Sequence, residues 1–292
     1  MANLRAIRKR ISSVKSTQQI TRAMKMVSAA KLRRAQEAIV AARPYARKMR
    51  DVALSVAGRV DSSAHPLLVS REAKRLALLV VTSDRGLCGS FNAGLTRYVQ
   101  RYIAEQQAKY EKIVLFVVGR KGRDFFRRRG LPIHKEYLGV LGTIGRGHAE
   151  TISRELLQGF IGEEFDEVQV VYNEFRSAIS QVTRNERLFP LALDTPEKGS
   201  GENASGIEYL YEPDKSKILE LLLPKYVETH IFRVLLESVA GEHGARMTAM
   251  DSATNNSVDM IARLTLQMNR ARQATITTEL TEIVSGAEAL KG

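Results

Sequence analysis

Residues able to do chemistry are sparse in this chain of 292 residues. The most suggestive run is Ser83-Asp84-Arg85-Gly86-Leu87-Cys88-Gly89. It follows a continuous apolar stretch and precedes a helical one, which is where open α/β sheets bind ligands. Two chemistries would suit it: a phosphate cradled by a glycine-bearing turn, or attack by the Cys88 thiol. The spacing supports neither. The run matches no Walker A loop and no dinucleotide fingerprint, and Gly119-Arg120-Lys121-Gly122 fails the same test. A structural tight turn is the expectation. No histidine stands in a motif relation to Cys88, so a small buried thiol is expected there. The five histidines (His65, His134, His148, His230, His243) show no HExxH or other ligand spacing. A single cysteine excludes an internal disulfide and a cysteine-cluster metal site, and fits a reducing compartment. The residues therefore point to no catalytic group, no cofactor and no metal.

The elements that would have to position such groups are unusual. From Ala2 to Arg43, and again from Ala245 to Ser285, there is neither Gly nor Pro. Globular helices average about three turns, so helices this long suggest a rod with a compact domain inserted between its halves. The first carries apolar or small residues at Ile7, Ile11, Val14, Thr21, Met24, Ser28, Leu32, Ala35, Ile39 and Ala42. Steps of three and four make this a coiled-coil seam rather than a broad core face. It continues through Met49, Val52 and Val56, with Pro44 causing at most a local kink, until turn chemistry from Gly58 to Pro66 ends it. The second helix starts near Pro213-Asp214 and runs to about Gly286, with Gly241 and Gly244 as weak points. The Glu242-His243 pair between those glycines marks a candidate local break. Its expected seam uses Ala245, Ala249, Ser252, Ala253, Ser257, Val258, Ile261, Met268 and Ala271.

Between the helices, strand and helix alternate. Strands are expected at Arg75–Thr82, Lys112–Val118, Ile133–Tyr137 and Glu167–Tyr172, with a β-rich run at Ser177–Leu188. Helices are expected near Asn92–Gln107, Lys121–Arg129 and Glu150–Phe160. This is an α/β pattern with a mainly parallel sheet. The resulting domains are 1–60 and 209–287 as paired helices, 73–190 as the α/β domain, and 191–208 as a linker, polar and flexible at Lys198–Gly206.

Charge and length add two clues. Residues 1–50 carry 14 basic side chains against one acidic, Glu37. Of the chain's 45 basic and 32 acidic residues this leaves 31 of each elsewhere, so the whole net charge of +13 sits on the first helix. An acidic partner surface is implied. At 1.5 Å per residue the two helices measure roughly 80 and 105 Å, so an antiparallel pair leaves the second overhanging the first by about 20 Å. That overhang still carries an apolar stripe, Ile276, Leu280, Ile283 and Ala287, which needs another protein to cover it. No stretch is apolar and long enough to cross a bilayer, and Met1–Arg5 opens no secretory signal.

Several long motifs, spread along the chain, carry a resemblance. They are Ile20–Lys31 (ITRAMKMVSAAK), Ser83–Gly89 (SDRGLCG), Tyr209–Asp214 (YLYEPD) and Asn269–Ile283 (NRARQATITTELTEI). Together they resemble the gamma subunits of F-type, proton-translocating ATP synthases, of the bacterial type. The resemblance implies an antiparallel coiled-coil shaft within a ring of three alpha and three beta subunits, with a Rossmann-like domain as its foot. It implies a non-catalytic rotor that couples proton flow to ATP synthesis, or hydrolysis to rotation. Partners would be alpha, beta, epsilon, delta and the membrane c-ring, with no nucleic acid and no membrane insertion. The location would be the cytoplasmic face of the bacterial inner membrane. Matched to the family's motifs, Met24, Lys25, Arg246, Arg272, Gln273, Ile276, Thr277, Glu279, Leu280 and Ile283 would contact alpha and beta. Tyr209 and Glu212 would lie at the foot, near epsilon and the ring. The cysteine pair of plant-type chains has no counterpart in the linker, which argues against a thiol-switched chloroplast form. Two readings remain as competitors: a nucleic-acid or membrane-surface binder using the basic helix, and an enzyme using the α/β domain.

Overall fold

The computed structural model describes residues 4–57, 65–142, 144–191 and 215–290. Helix α1 spans Leu4–Ala57 and helix α5 spans Lys215–Ala289. Between them lie β1 (Arg75–Val81), α2 (Phe91–Gln106), β2 (Lys112–Val118), α3 (Arg120–Arg127), β3 (Ile133–Tyr137), α4 (Arg146–Ile161), β4 (Glu167–Phe175) and β5 (Gln181–Phe189). The chain divides into two compact units: Met1–Ser28 with Met247–Gly292, and Ala29–Arg246.

In the larger unit the sheet order is β3-β2-β1-β4-β5. The first four strands pair in parallel, and β5 returns antiparallel beside β4. The expected mixed α/β class is therefore present, with its topological switch between β1 and β4. The β-rich run expected at 177–188 is the second strand of a hairpin, and β4 extends three residues past Tyr172 to Phe175. β1 is buried from Leu76 to Val81, as a strand with helices on both faces must be. Leu78, Val80, Leu115, Val117 and Val171 from the sheet cluster with Leu95 and Val99 of α2 and Phe126 of α3. Phe160 of α4 packs against Phe189, with ring centroids 5.2 Å apart and the planes tilted by 34°.

Gly119 and Gly122 make this packing possible. Gly119 has φ 91°, and a Cβ there would lie 2.2 Å from the Thr82 carbonyl oxygen. A Cβ on Gly122 would meet Thr82 Oγ1 at 2.6 Å. The Thr82 hydroxyl donates to the Val118 carbonyl (2.7 Å) and accepts from the Gly122 N–H (2.9 Å). The glycines of Gly119–Gly122 thus let a helix start against a strand end, and the cradle is filled by Thr82.

The part of α5 in this unit buries Leu219, Leu223, Val227, Ile231, Val234 and Leu235. The helix does not break at Gly241 or Gly244, contrary to expectation. A Cβ on Gly241 would press on the Phe91 ring at 3.1 Å, and one on Gly244 on the Ala178 backbone at 3.2 Å. Here the glycines serve close approach to the β4–β5 hairpin and α2, not flexibility. Nor does Pro44 end α1 or Pro224 end α5.

In the smaller unit the two helices run antiparallel. Thr254 Oγ1 donates to Thr21 Oγ1 at 2.8 Å, and Lys25 Nζ meets Asp251 Oδ1 at 2.6 Å. The α1 stripe is as expected, with Ile7, Thr21 and Ser28 buried. The α5 stripe needs correction: Ser252 and Val258 face outward, and Met250, Thr254 and Leu264 take the seam. The 191–208 linker beyond Leu191, the turn at 58–64 and the expected start of the second helix at Pro213-Asp214 lie outside the described residues.

Candidate interaction surface

The residues first considered for chemistry are spoken for within the larger unit. Ser83 Oγ donates to the Arg85 carbonyl at 2.6 Å and accepts from Asn92 Nδ2 at 2.7 Å, while the Ser83 N–H donates to Asn92 Oδ1. Asp84 Oδ1 accepts from the backbone N–H groups of Arg120 and Gly139. The run is thus a stitched turn at the end of β1. Leu87, at φ 63°, is exposed, as are Arg85 and Gly89. Cys88 is buried, and burial pushes its thiol up, away from the thiolate a nucleophile needs.

The histidines are scattered. His65 Nδ1 accepts from the Leu67 N–H, and His134 packs its ring on Phe116 and Phe165. His230 and His243 belong to two polar clusters on α5 that the sequence did not announce. In the first, Glu186 of β5 accepts from the Tyr172 hydroxyl (2.7 Å) and from Arg233 Nη2 (2.9 Å), with His230 Nε2 at 3.0 Å. Burial alone would raise the Glu186 pKa, but His230, Arg233 and Tyr172 hold it down at about 2. Arg233 also reaches Glu237, which burial pushes up. In the second, Arg246 Nη2 donates to Glu242 Oε1 (2.7 Å) and to the Gly86 carbonyl (3.2 Å). Arg246 Nη1 lies 3.3 Å from His243 Nδ1. Burial, helped by the charges of Arg246 and Lys31, lowers His243 to about 4, so it is neutral near pH 7. A spacing of three and four on one helix, His230-Arg233-Glu237 and Glu242-Arg246, is the sequence signal that was available.

The expected contact residues fall in three places. Arg246 is buried and bonded inside the larger unit. In the smaller unit Met24 and Lys25 are half-buried, Lys25 by way of Asp251. Arg272, Gln273, Ile276, Thr277, Glu279, Leu280 and Ile283 are all exposed near the end of α5. Tyr209 and Glu212 lie outside the described residues.

The end of α5 is the outstanding surface. The register of the two polar pairs sets Leu4 opposite about residue 271, so α5 continues some 18 residues, or about 27 Å, past the start of α1. That exceeds the expected 20 Å because α5 is longer than expected. Ile276, Leu280 and Ile283 are 51%, 60% and 72% exposed along this extension. Sequence reasoning missed further apolar residues outside the seams: Ile20, Met26 and Val27 on α1, and Met260 and Leu266 on α5, are all exposed. Their signal was a large apolar side chain off the stripe. Among the described residues no group of three acidic, His or Cys side chains could hold a metal, and no helix is long and apolar enough to cross a membrane.

Comparison with known proteins gives this surface a context. A family model described as ATP synthase matches residues 3–290. The ATP synthase gamma chain of Trichlorobacter lovleyi is 52% identical over 292 residues, covering all of both chains. That of an Anaeromyxobacter species is 51% identical over 294, again covering both. Among solved structures, the central stalk and c-ring of the Tetrahymena thermophila mitochondrial ATP synthase contains a chain with TM-score 0.60 and 26% identity, covering 80% of this chain and 99% of that one. A chain of the Euglena gracilis mitochondrial ATP synthase has TM-score 0.69 and 20% identity, covering 98% and 94%, a likeness of fold.

Proposed function

This chain belongs to the ATP synthase gamma-chain family, and we propose that it is the non-catalytic central rotor shaft of an F-type ATP synthase. The extension of α5 carries the reading. An apolar stripe that no described part of the two-helix unit covers is costly in water, about 25 cal/mol for each Å² exposed. A socket made by other subunits accounts for it. In this reading alpha and beta subunits, three of each, surround the paired helices. Arg272, Gln273, Thr277 and Glu279 make polar contacts around the apolar residues Ile276, Leu280 and Ile283. The basic face of α1 meets acidic surface on the ring, near Met24 and Lys25. Arg246, the other residue matched to the ring contacts, is buried in the larger unit, where it stiffens the turn at Gly86. Tyr209 and Glu212 serve contact with epsilon and the c-ring, with delta in the same complex.

Rotation of such an asymmetric shaft would push the three catalytic sites of the ring through different conformations. Proton flow would then drive ATP synthesis, and ATP hydrolysis would drive the shaft in reverse. The shaft needs no active site, and the polar groups of the turn after β1, Ser83 and Asp84, are engaged in its own packing. It would work at the cytoplasmic face of the bacterial inner membrane as a peripheral subunit. Native mass spectrometry of the tagged chain from its own cells tests this. One copy with three each of two nucleotide-binding subunits is expected. Recovery alone, or with nucleic acid, would overturn it and favour the basic-helix binder.

A further inference from the structure

We propose that the Lys25–Asp251 ion pair and the Thr21–Thr254 hydrogen bond are a register lock for the two-helix unit: they fix how far α5 extends past α1. The inference rests on the rotor reading for its functional consequence, but its physical content is independent of it.

The apolar part of the seam discriminates poorly between registers. Carried along an antiparallel pair, the register of Thr21 and Thr254 sets Val14 opposite Ile261, Ile11 opposite Leu264 and Ile7 opposite Met268. A slip of one heptad re-pairs aliphatic residues with other aliphatic or small ones: Val14 would face Met268, or Ile7 would face Ile261. Neither leaves a charge buried or a large void. The polar layer is different. Thr254 donates to Thr21, which in turn donates to the Gln18 carbonyl at 3.0 Å. A one-heptad slip puts Thr21 against Ile261 or Met247, which loses the cross-helix bond and leaves each hydroxyl only the carbonyl on its own helix, Gln18 for Thr21 and Met250 for Thr254. It also separates Lys25 from Asp251, whose side chains are 43% and 46% exposed. Polar pairs in a seam specify register in this way while adding little stability. The displacement they prevent is large: seven residues move the α5 end by about 10 Å relative to α1. Lys25 is thus a positioning residue acting through Asp251.

The test uses the full chain with two cysteine pairs as reporters. Ile11→Cys with Leu264→Cys reports the native register, and Ile11→Cys with Ala271→Cys reports a one-heptad slip. Each is built into the otherwise unaltered chain, into Lys25→Asp, into Thr21→Val/Thr254→Val, and into the swap Lys25→Asp/Asp251→Lys. The unaltered chain should cross-link only the native pair. Lys25→Asp and the double valine variant should each lower the native-to-slipped ratio, by roughly fivefold for the ion pair. The swap should restore it. Proton pumping per ATP hydrolysed by the assembled complex should fall and recover in parallel. Unchanged cross-linking in both broken variants, or no recovery in the swap, would overturn the lock. Cross-links that shift without any complex forming would leave the lock standing and sink the rotor reading.

Discussion

In the larger unit every residue of β1 from Leu76 to Val81 is closed to solvent, whereas every residue of α5 from Ile276 to Ala289 in the smaller unit is open to it. The same chain buries apolar surface to the limit in one region and leaves it bare in another. A parallel sheet between helices satisfies its backbone and side chains internally, so its stability is its own. Two helices offer each other only one stripe apiece, and the remaining faces are available to other proteins. Where the chain is self-sufficient it can transmit load. Where it is incomplete it can be gripped. The buried ionic clusters follow the same division: Glu186, His230, Arg233, Glu242, His243 and Arg246 all belong to the larger unit.

This contrast can be broken at the sheet. Phe160→Ala removes a fully buried ring from the face of α4 and should cost about 3–5 kcal/mol of stability, read by denaturant unfolding. A cost under 1 kcal/mol would contradict the tight-core account. Acid should act nearly as strongly. His243 is held neutral, with a folded pKa of about 4 against 6.5 ordinarily, so the unfolded chain binds more protons between those values. Stability should be complete above pH 6.5 and decline toward pH 4, by on the order of 3 kcal/mol in all. In His243→Asn that decline should flatten. Glu186, held at about 2, keeps its contribution above its ordinary pKa of 4.5 and loses it only as pH falls toward 2, a second and later acid step. Gly119→Ala forces a side chain into φ 91° against Thr82 and should cost at least about 1–3 kcal/mol. The smallest effect sharpens the comparison from the other side. Ile283→Ser should change the melting behaviour of the isolated chain by under about 0.5 kcal/mol, since the side chain is 72% exposed. The same substitution should weaken assembly with the ring, measured as the fraction of the chain recovered in complex.

Legibility in the sequence followed the physical source of each signal. β1, β2 and β3 were readable because an apolar run or a short β-branched segment sits between turn residues. The α1 stripe was readable because aliphatic side chains mark it every three or four positions. The α5 stripe was drawn wrongly at Ser252 and Val258 because small side chains carry almost no hydropathy contrast, so Thr254 and Ser252 look alike until the partner helix is present. Gly241 and Gly244 looked like weaknesses because a sequence shows a missing side chain but not the Phe91 ring or Ala178 backbone that fills its place. The α5 side of the Glu186 cluster has a readable spacing, but Glu186 itself does not, as its carboxylate lies 44 residues before His230. The exposed contact residues near the end of α5 came from motif resemblance. Those residues are exposed, whereas Arg246 is buried and bonded to Glu242 and the Gly86 carbonyl.

The central claim is that this chain turns inside a ring without performing the chemistry. The most direct measurement fixes the alpha and beta subunits to a surface and attaches a bead through Ile179→Cys, a hairpin residue 83% exposed. With ATP present the bead should rotate in one direction, in steps set by the three catalytic sites. A bead that stays still while the same complexes hydrolyse ATP would contradict the account.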